Sequence, residues 1–318
     1  MQNERRRRIL SLVAQAYIDT ARPVPSAHVA DLLRISSATV RNEFAALEEQ
    51  GMLLQQHVSS GRIPSLSGLG FYASSFIPPG TLPPRQRRLI SAQLERAHGD
   101  QLLQRVARLA AELSGYAVVV RLNPDDALHT LAIHLSVLAS NRVLAVVVLE
   151  NGLVREQSLH LDPLPDPAEL GEAERRLRSL SIPLAGLSGA IRQLARESDS
   201  QVSRILLALA EAAPGLNRER VFSHGLGNLL AEPEAQDPDF LRIAVREVEA
   251  PARPGLQEKT LDLILDDATA RLRAALARGS LQAELNLIGP ARMRYPEAFR
   301  VAGGLATAVY AVASRPIS

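Results

Sequence analysis

A multidomain α+β fold is predicted by three observations. The first 72 residues carry three helix-spaced apolar patterns followed by short strand-like pieces. A proline cluster between Ser74 and Pro84 then interrupts the chain, and beyond it Val-rich runs, a block of helical patterns and further strand-like runs follow in turn. With 318 residues there is room for two or three domains. An apolar fraction of 46% against 22% charged residues supplies a buried core and argues against wholesale disorder.

In the first segment, residues 1–72, Ile9, Leu12, Val13, Ala16 and Tyr17 recur at three- and four-residue steps and form one stripe of a helix. Arg22-Pro23-Val24-Pro25 breaks it. Ser26 is placed to cap a short second helix through Leu33, and Ser36 to cap a third that ends at Gly51, where glycine provides a left-handed stop. Met52-Leu53-Leu54 and His57-Val58-Ser59 then read as strand pieces. Ser60-Gly61 supplies turn chemistry before Arg62-Ile63-Pro64. Helix, turn, helix and hairpin together describe a winged helix-turn-helix.

Residues 73–84 read as a linker, because stacked prolines suit neither a helix nor a central strand. Residues 85–161 open a mixed α/β body. A helical stretch from Arg85 to Leu113, dented at His98-Gly99-Asp100, precedes strand-like runs Tyr116–Leu122, Leu128–Leu138 and Val143–Leu149. Asn151-Gly152 marks a tight turn into a fourth run, Leu153–Leu161. Residues 162–214 form an inserted helical subdomain punctuated by Pro163, Pro165, Pro167 and Pro183. Residues 215–318 return to strand-like Arg220–Ser223, a helix near Asp237–Val248, further α/β elements, Ile288-Gly289-Pro290, and a last helix from about Pro296 to Val312.

On an ideal third helix Val40, Phe44 and Leu47 cluster inward, leaving Ala38, Asn42, Ala45 and Glu49 outward with Thr39 and Arg41 on the flanks. Such a narrow face of short side chains suits a DNA major groove, which is about 12 Å wide. Asn42 is fitted to adenine, Arg41 to guanine or phosphate, and Ala38 or Thr39 to a thymine methyl. Ser36 and Ser37 stand where a helix N-terminus offers free N–H groups to phosphate. Arg5 to Arg8 and Arg62 add positive charge around this helix. The whole segment holds eight arginines against six acidic residues, so placement matters more than net charge. An ordinary capped surface helix would show the same face, and the surrounding order of elements is what favours DNA.

The stretch Ser36-Ser37-Ala38-Thr39-Val40-Arg41-Asn42-Glu43, with Leu47-Glu48, Gly51 and His57-Val58-Ser59-Ser60-Gly61-Arg62-Ile63-Pro64, closely resembles the HrcA family of heat-inducible transcription repressors. The resemblance continues at Leu113-Ser114, Arg142-Val143-Leu144, Gly227-Asn228-Leu229-Leu230 before Pro233-Glu234, and Gly289-Pro290-Ala291-Arg292-Met293. It implies a winged-helix domain, a GAF-like domain in two parts (85–161 and 215–318) and a helical dimerisation insertion. It also implies DNA contacts from the wing residues His57, Ser59, Ser60, Gly61 and Arg62 beside Ser36, Ser37, Ala38, Thr39, Arg41 and Asn42. The function so implied is dimeric binding of an inverted-repeat operator, CIRCE, before chaperone operons, with activity modulated by the GroE chaperonin.

Other chemistry finds little support. The chain has no cysteine, which removes disulfides, thiolate nucleophiles and Cys-containing zinc sites and fits a reducing cytoplasm. His129 and His134 are oddly spaced in a strand-like run, against metal binding, so no metal or cofactor is expected. Gly225-Leu226-Gly227 lacks the third glycine of a dinucleotide loop, and neither Ser188 nor Ser223-His224 sits in a nucleophile-elbow pattern, so no enzyme is read. No signal peptide or membrane span follows Arg5–Arg8. Lys259 is the only lysine, and the arginine bias suits phosphate no better than it suits GC-rich codons. Two alternatives remain open: a regulator whose GAF-like body binds a small effector, and a chaperone-associated protein whose winged helix binds protein.

Overall fold

The computed structural model describes residues 2–55, 61–97, 99–122, 124, 127–139, 141–150, 152–250, 260–276 and 283–312. Its first unit comprises α1 (Gln2–Thr20), α2 (Ser26–Leu33), α3 (Ser37–Glu49), β1 (Leu53–Leu54), β2 (Ile63–Pro64) and α4 (Leu66–Ser74). Ile9, Leu10, Val13, Val29, Val40, Phe44, Leu47 and Leu53 form its core. The buried face of α1 is wider than the predicted stripe. Ile9, Leu10 and Val13 face α3, whereas Ala14 and Ile18 belong to the core of the following body.

One local expectation is corrected. Ser26 does not cap α2: Pro25 holds the N-cap position without a side-chain bond, and Ser26 Oγ instead meets Ser37 Oγ at 2.9 Å, tying the starts of α2 and α3 together. The partner of β1 is Ile63–Pro64, with Leu53 opposite Pro64 and Leu54 opposite Ile63. This register sends Leu53 and Pro64 inward, and it lets Val24 bridge to Arg62 as a third strand position. The expected turn at Ser60, together with His57, Val58 and Ser59, lies outside the described residues.

The body begins with α5 (Pro84–Leu94) and α6 (Gly99–Ser114), followed by β3 (Ala117–Leu122), β4 (Thr130–Ala139), β5 (Arg142–Leu149) and β6 (Val154–His160). Asn151 of the expected tight turn lies outside the described residues, while Gly152 has φ +78°. The helices α7 (Pro167–Leu177), α8 (Leu184–Arg196) and α9 (Ser200–Ala212) come next, closed by a 3-10 turn at Ala213–Asn217. A capping box between Asp166 and Glu169 starts α7, and Asp199 caps α9. The chain continues through β7 (Arg220–His224), α10 (Gly227–Leu230), a 3-10 turn at Pro233–Gln236, and α11 (Pro238–Glu249). It ends with β8 (Leu261–Leu265), β9 (Thr269–Ala275), β10 (Ala283–Pro290) and α12 (Tyr295–Val312).

Strand pairs are antiparallel throughout, in a three-stranded sheet β4-β5-β6 and a five-stranded sheet β7-β3-β10-β9-β8. One face of the larger sheet presents Val118, Val120, Leu272, Leu285 and Leu287 to the main core shared with α6 and α12. At one end the other face is apolar, where Ala117, Val119 and Ile288 meet Leu229, Phe240 and Ala244. Its other end is a buried charged layer. Arg273 forks onto Glu284 with two 2.9 Å bonds and reaches Asp262 at 3.1 Å, while Arg121 donates to the Val248 carbonyl at 2.6 Å. Each of these guanidiniums gains a carboxylate or carbonyl, which is the condition for burying it.

The proline-rich stretch separates the units in sequence but not in packing. Leu69, Tyr72 and Ala73 of α4 enter the main core, where the Tyr72 ring meets Phe76 and Tyr295 edge-on at 5.1 and 6.4 Å.

Candidate nucleic-acid interface

The candidate reading helix, α3, is built by its two ends. Ser36 has extended backbone at φ −71°, and its Oγ accepts from the Thr39 N–H at 3.1 Å, as the sequence predicted. Such a cap stabilises a helix by roughly 1 kcal/mol. At the other end Gly51 takes φ +69°, which ends the helix without the strain a Cβ would bring. Between them Val40, Phe44 and Leu47 are buried, and Ala38, Arg41, Asn42, Ala45 and Glu49 are exposed. Arg41 and Asn42 make no hydrogen bond or ion pair among the described residues, so both are available to an external partner.

The flanking residues divide. Ser36 is exposed, and its hydroxyl shares a 2.8 Å contact with Thr39 Oγ1; Thr39 and Ser37 are half-buried, Ser37 through its bond to Ser26. Arg62 does not project freely. Its Nη2 donates to Glu48 Oε2 at 3.0 Å, and its Nε lies 2.9 Å from Glu48 Oε1, so in the unbound chain it laces the hairpin to α3. Gly61 has a structural reason to be glycine: a Cβ there would stand 2.3 Å from the Val24 carbonyl carbon and oxygen, destroying the pairing of Val24 with Arg62. His57, Ser59 and Ser60, expected to contact DNA, lie outside the described residues.

The basic cluster at the start of α1 is also partly committed. Glu43, 6% exposed on the inner side of α3, accepts from Arg6 Nε at 2.7 Å and has Arg5 at 4.0 Å. Arg7 lies over the Phe71 ring at 5.9 Å, and Arg8 stays exposed. Arg6 therefore positions α1 against the reading helix rather than facing phosphate.

Sequence reasoning missed what holds this unit in place. Arg292, in the turn between β10 and α12, donates from Nη1 to the Ile18 carbonyl at 3.1 Å, near the C-terminal end of α1. Its Nε meets Glu234 Oε1 at 2.5 Å, and its Nη2 meets Glu232 Oε2 and Glu234 Oε2 at 2.9 and 2.8 Å. A cation at a helix C-terminus also complements the helix dipole. Burial alone lowers the pKa of this guanidinium, but the hydrogen bonds and charges of Glu234 and Glu232 outweigh burial and raise it. The Tyr72 hydroxyl donates to Gln15 Oε1, a second clamp on α1. The local signal was the segment Gly289-Pro290-Ala291-Arg292-Met293 in the family resemblance, which does not point to the acids about sixty residues upstream.

No group of three or more metal-ligating side chains exists among the described residues, and no helix there is long and apolar enough to cross a membrane.

With this geometry in view, four likenesses bear on the chain. A family model described as the HrcA protein C terminal domain matches residues 100–253. The chain is 30% identical to the heat-inducible transcription repressor HrcA of Chloroflexus aurantiacus, covering 92% of this chain and 89% of that one. It is 31% identical to the protein of the same name from Moorella thermoacetica, covering 94% of each. In structure it is similar to a crystal structure of a hypothetical protein, with a TM-score of 0.69 and 20% identity over 97% of both chains, a likeness of fold alone.

Proposed function

Since the chain belongs to the HrcA family of heat-inducible transcription repressors, we propose that it represses chaperone operons by binding an inverted-repeat operator of the CIRCE type as a homodimer. Residues 1–72 are then the winged helix-turn-helix, with α3 in the major groove and the hairpin against the backbone. Residues 73–84 are the linker, 85–161 and 215–318 the two parts of a GAF-like body, and 162–214 the dimerising insertion. The observation that carries this reading is the outward face of α3: two polar side chains, Arg41 and Asn42, unpaired among the described residues and set among short ones, on a helix capped at both ends.

Two reading helices must lie in matching orientation on a two-fold site. The support for a dimer includes apolar side chains left in solvent, such as Leu131, Val137 and Leu138 on edge strand β4 and Leu207 on α9. Regulation by the GroE chaperonin, which the family resemblance implies, completes the proposal: chaperonin sustains the active repressor, and heat diverts it to unfolded proteins.

Sedimentation of the full chain with duplex DNA tests the assembly. Two chains per duplex are expected on the full inverted repeat, with binding at least a hundredfold tighter than on a duplex carrying one half-site. One chain per duplex, bound equally well by the half-site, would refute the two-fold reading.

A further inference from the structure

The body holds a polar cavity of about 710 Å³ between the start of α6, β6, the 3-10 turn after α9, and β7. Its wall contains an arginine where strand alternation calls for an apolar residue. In β6, Arg155 and Leu159 are buried while Val154, Glu156, Ser158 and His160 are exposed. Arg155 is only 7% exposed, and its Nε and Nη1 have no hydrogen-bond partner among the described residues.

The nearby acid does not complete the site. Asp100 Oδ2 is paired with Arg220 Nη2 at 2.5 Å, while Asp100 Oδ1 stands 3.7 Å from Arg155 Nη1, beyond hydrogen-bond reach. One carboxylate thus faces two guanidiniums. At the mouth the exposed pair Arg218 and Glu156 adds one charge of each sign, leaving the cavity with an excess of positive charge. Burial pushes the Arg155 pKa down, with Asp100 opposing and Arg220 reinforcing that shift, the pattern of a buried cation short of counter-charge. A buried guanidinium with two idle donors is costly unless something supplies oxygens to it.

We propose that this cavity is a binding site for a small metabolite bearing an oxyanion, phosphoryl or carboxylate, whose oxygens are forked by Arg155 with Arg218 at the mouth. Its volume suits a ligand larger than the bare anion. The placement gives such a ligand a grip on two parts of the body, because the turn at Ala213–Asn217 leads out of the helical block while β7 is the edge strand of the five-stranded sheet. The site is distinct from the DNA-reading face and does not depend on that reading.

Isothermal titration of the full chain, without DNA, with sodium phosphate and separately with sodium citrate at constant ionic strength against chloride tests it. Saturable one-site binding of at least one oxyanion in the millimolar range or tighter is expected. A preference for phosphate identifies a phosphoryl ligand, and a preference for citrate a carboxylate. Arg155→Gln weakens that binding at least tenfold and Arg218→Gln several-fold, while Arg192→Gln on exposed α8 surface leaves it unchanged. Should Arg155→Gln fail to fold, Arg218→Gln decides. No saturable binding of either oxyanion overturns the proposal, as does binding untouched by the Arg155 and Arg218 substitutions.

Discussion

Replacing Arg41 and Asn42 together by alanine lowers operator affinity by roughly a hundredfold or more, with each residue contributing about 1–3 kcal/mol where it reads a base edge. The two substitutions separate by their signatures. Asn42→Ala relaxes discrimination at one position of each half-site, since a side-chain amide bonds two groups of adenine at once. Arg41→Ala does the same if it reads guanine; if it grips phosphate, affinity falls evenly across sequences and the salt slope shrinks by about one. The fold should survive, because both side chains are exposed and have no partner among the described residues. Competition titrations against single-base operator variants, with circular dichroism to verify folding, measure this. Unchanged sequence discrimination in the double variant would remove α3 from base reading.

Arg292→Met destabilises the protein by about 2–3 kcal/mol, below the range for fully buried pairs because Glu232 and Glu234 keep 17% and 27% of their side-chain surface in solvent. The loss arises from what remains: two carboxylates held together without a cation, and the Ile18 carbonyl without its donor. Arg292→Lys rescues little, since one ammonium cannot replace a planar fork bonded to oxygens on three residues. Adding Glu232→Gln and Glu234→Gln to Arg292→Met should recover much of the stability. The variant also weakens binding to the two-half-site operator more than to a single half-site, because only the former needs the reading helices held at fixed spacing. Thermal unfolding and paired titrations measure both effects. Full stability and equal losses on both duplexes would show that Arg292 does not hold the N-terminal unit.

How much of this was legible beforehand follows the range of each interaction. The cap at Ser36, the left-handed stop at Gly51 and the split of α3 into buried Val40, Phe44 and Leu47 against exposed Ala38, Asn42 and Ala45 depend on residues within a few positions, and the sequence displays them. The Val-rich strand at Arg142–Leu149 announces itself in the same way. Ser26 misled because a serine before a helix suits two local roles, and the choice was made by Ser37, eleven residues away. Arg121, Arg271 and Arg273 alternate with apolar residues as a solvated strand face would, yet they are buried. Their partners Glu219, Glu247 and Glu284 come from other elements, and nothing within either strand points to them. Arg62 and Arg6 looked like phosphate contacts on charge alone; Glu48 and Glu43, on the reading helix itself, claim them in the unbound chain. The order β7-β3-β10-β9-β8 joins strands more than a hundred residues apart, which no local pattern encodes.

The most direct test of the central claim is fluorescence anisotropy of the full chain with a duplex carrying the expected inverted repeat, against a scrambled duplex of the same composition, at several salt concentrations with chaperonin present. The account predicts a specificity ratio of about a thousand or more that persists at physiological salt. Equal binding to both duplexes, falling steeply and in parallel as salt rises, would contradict it and leave only a nonspecific basic surface.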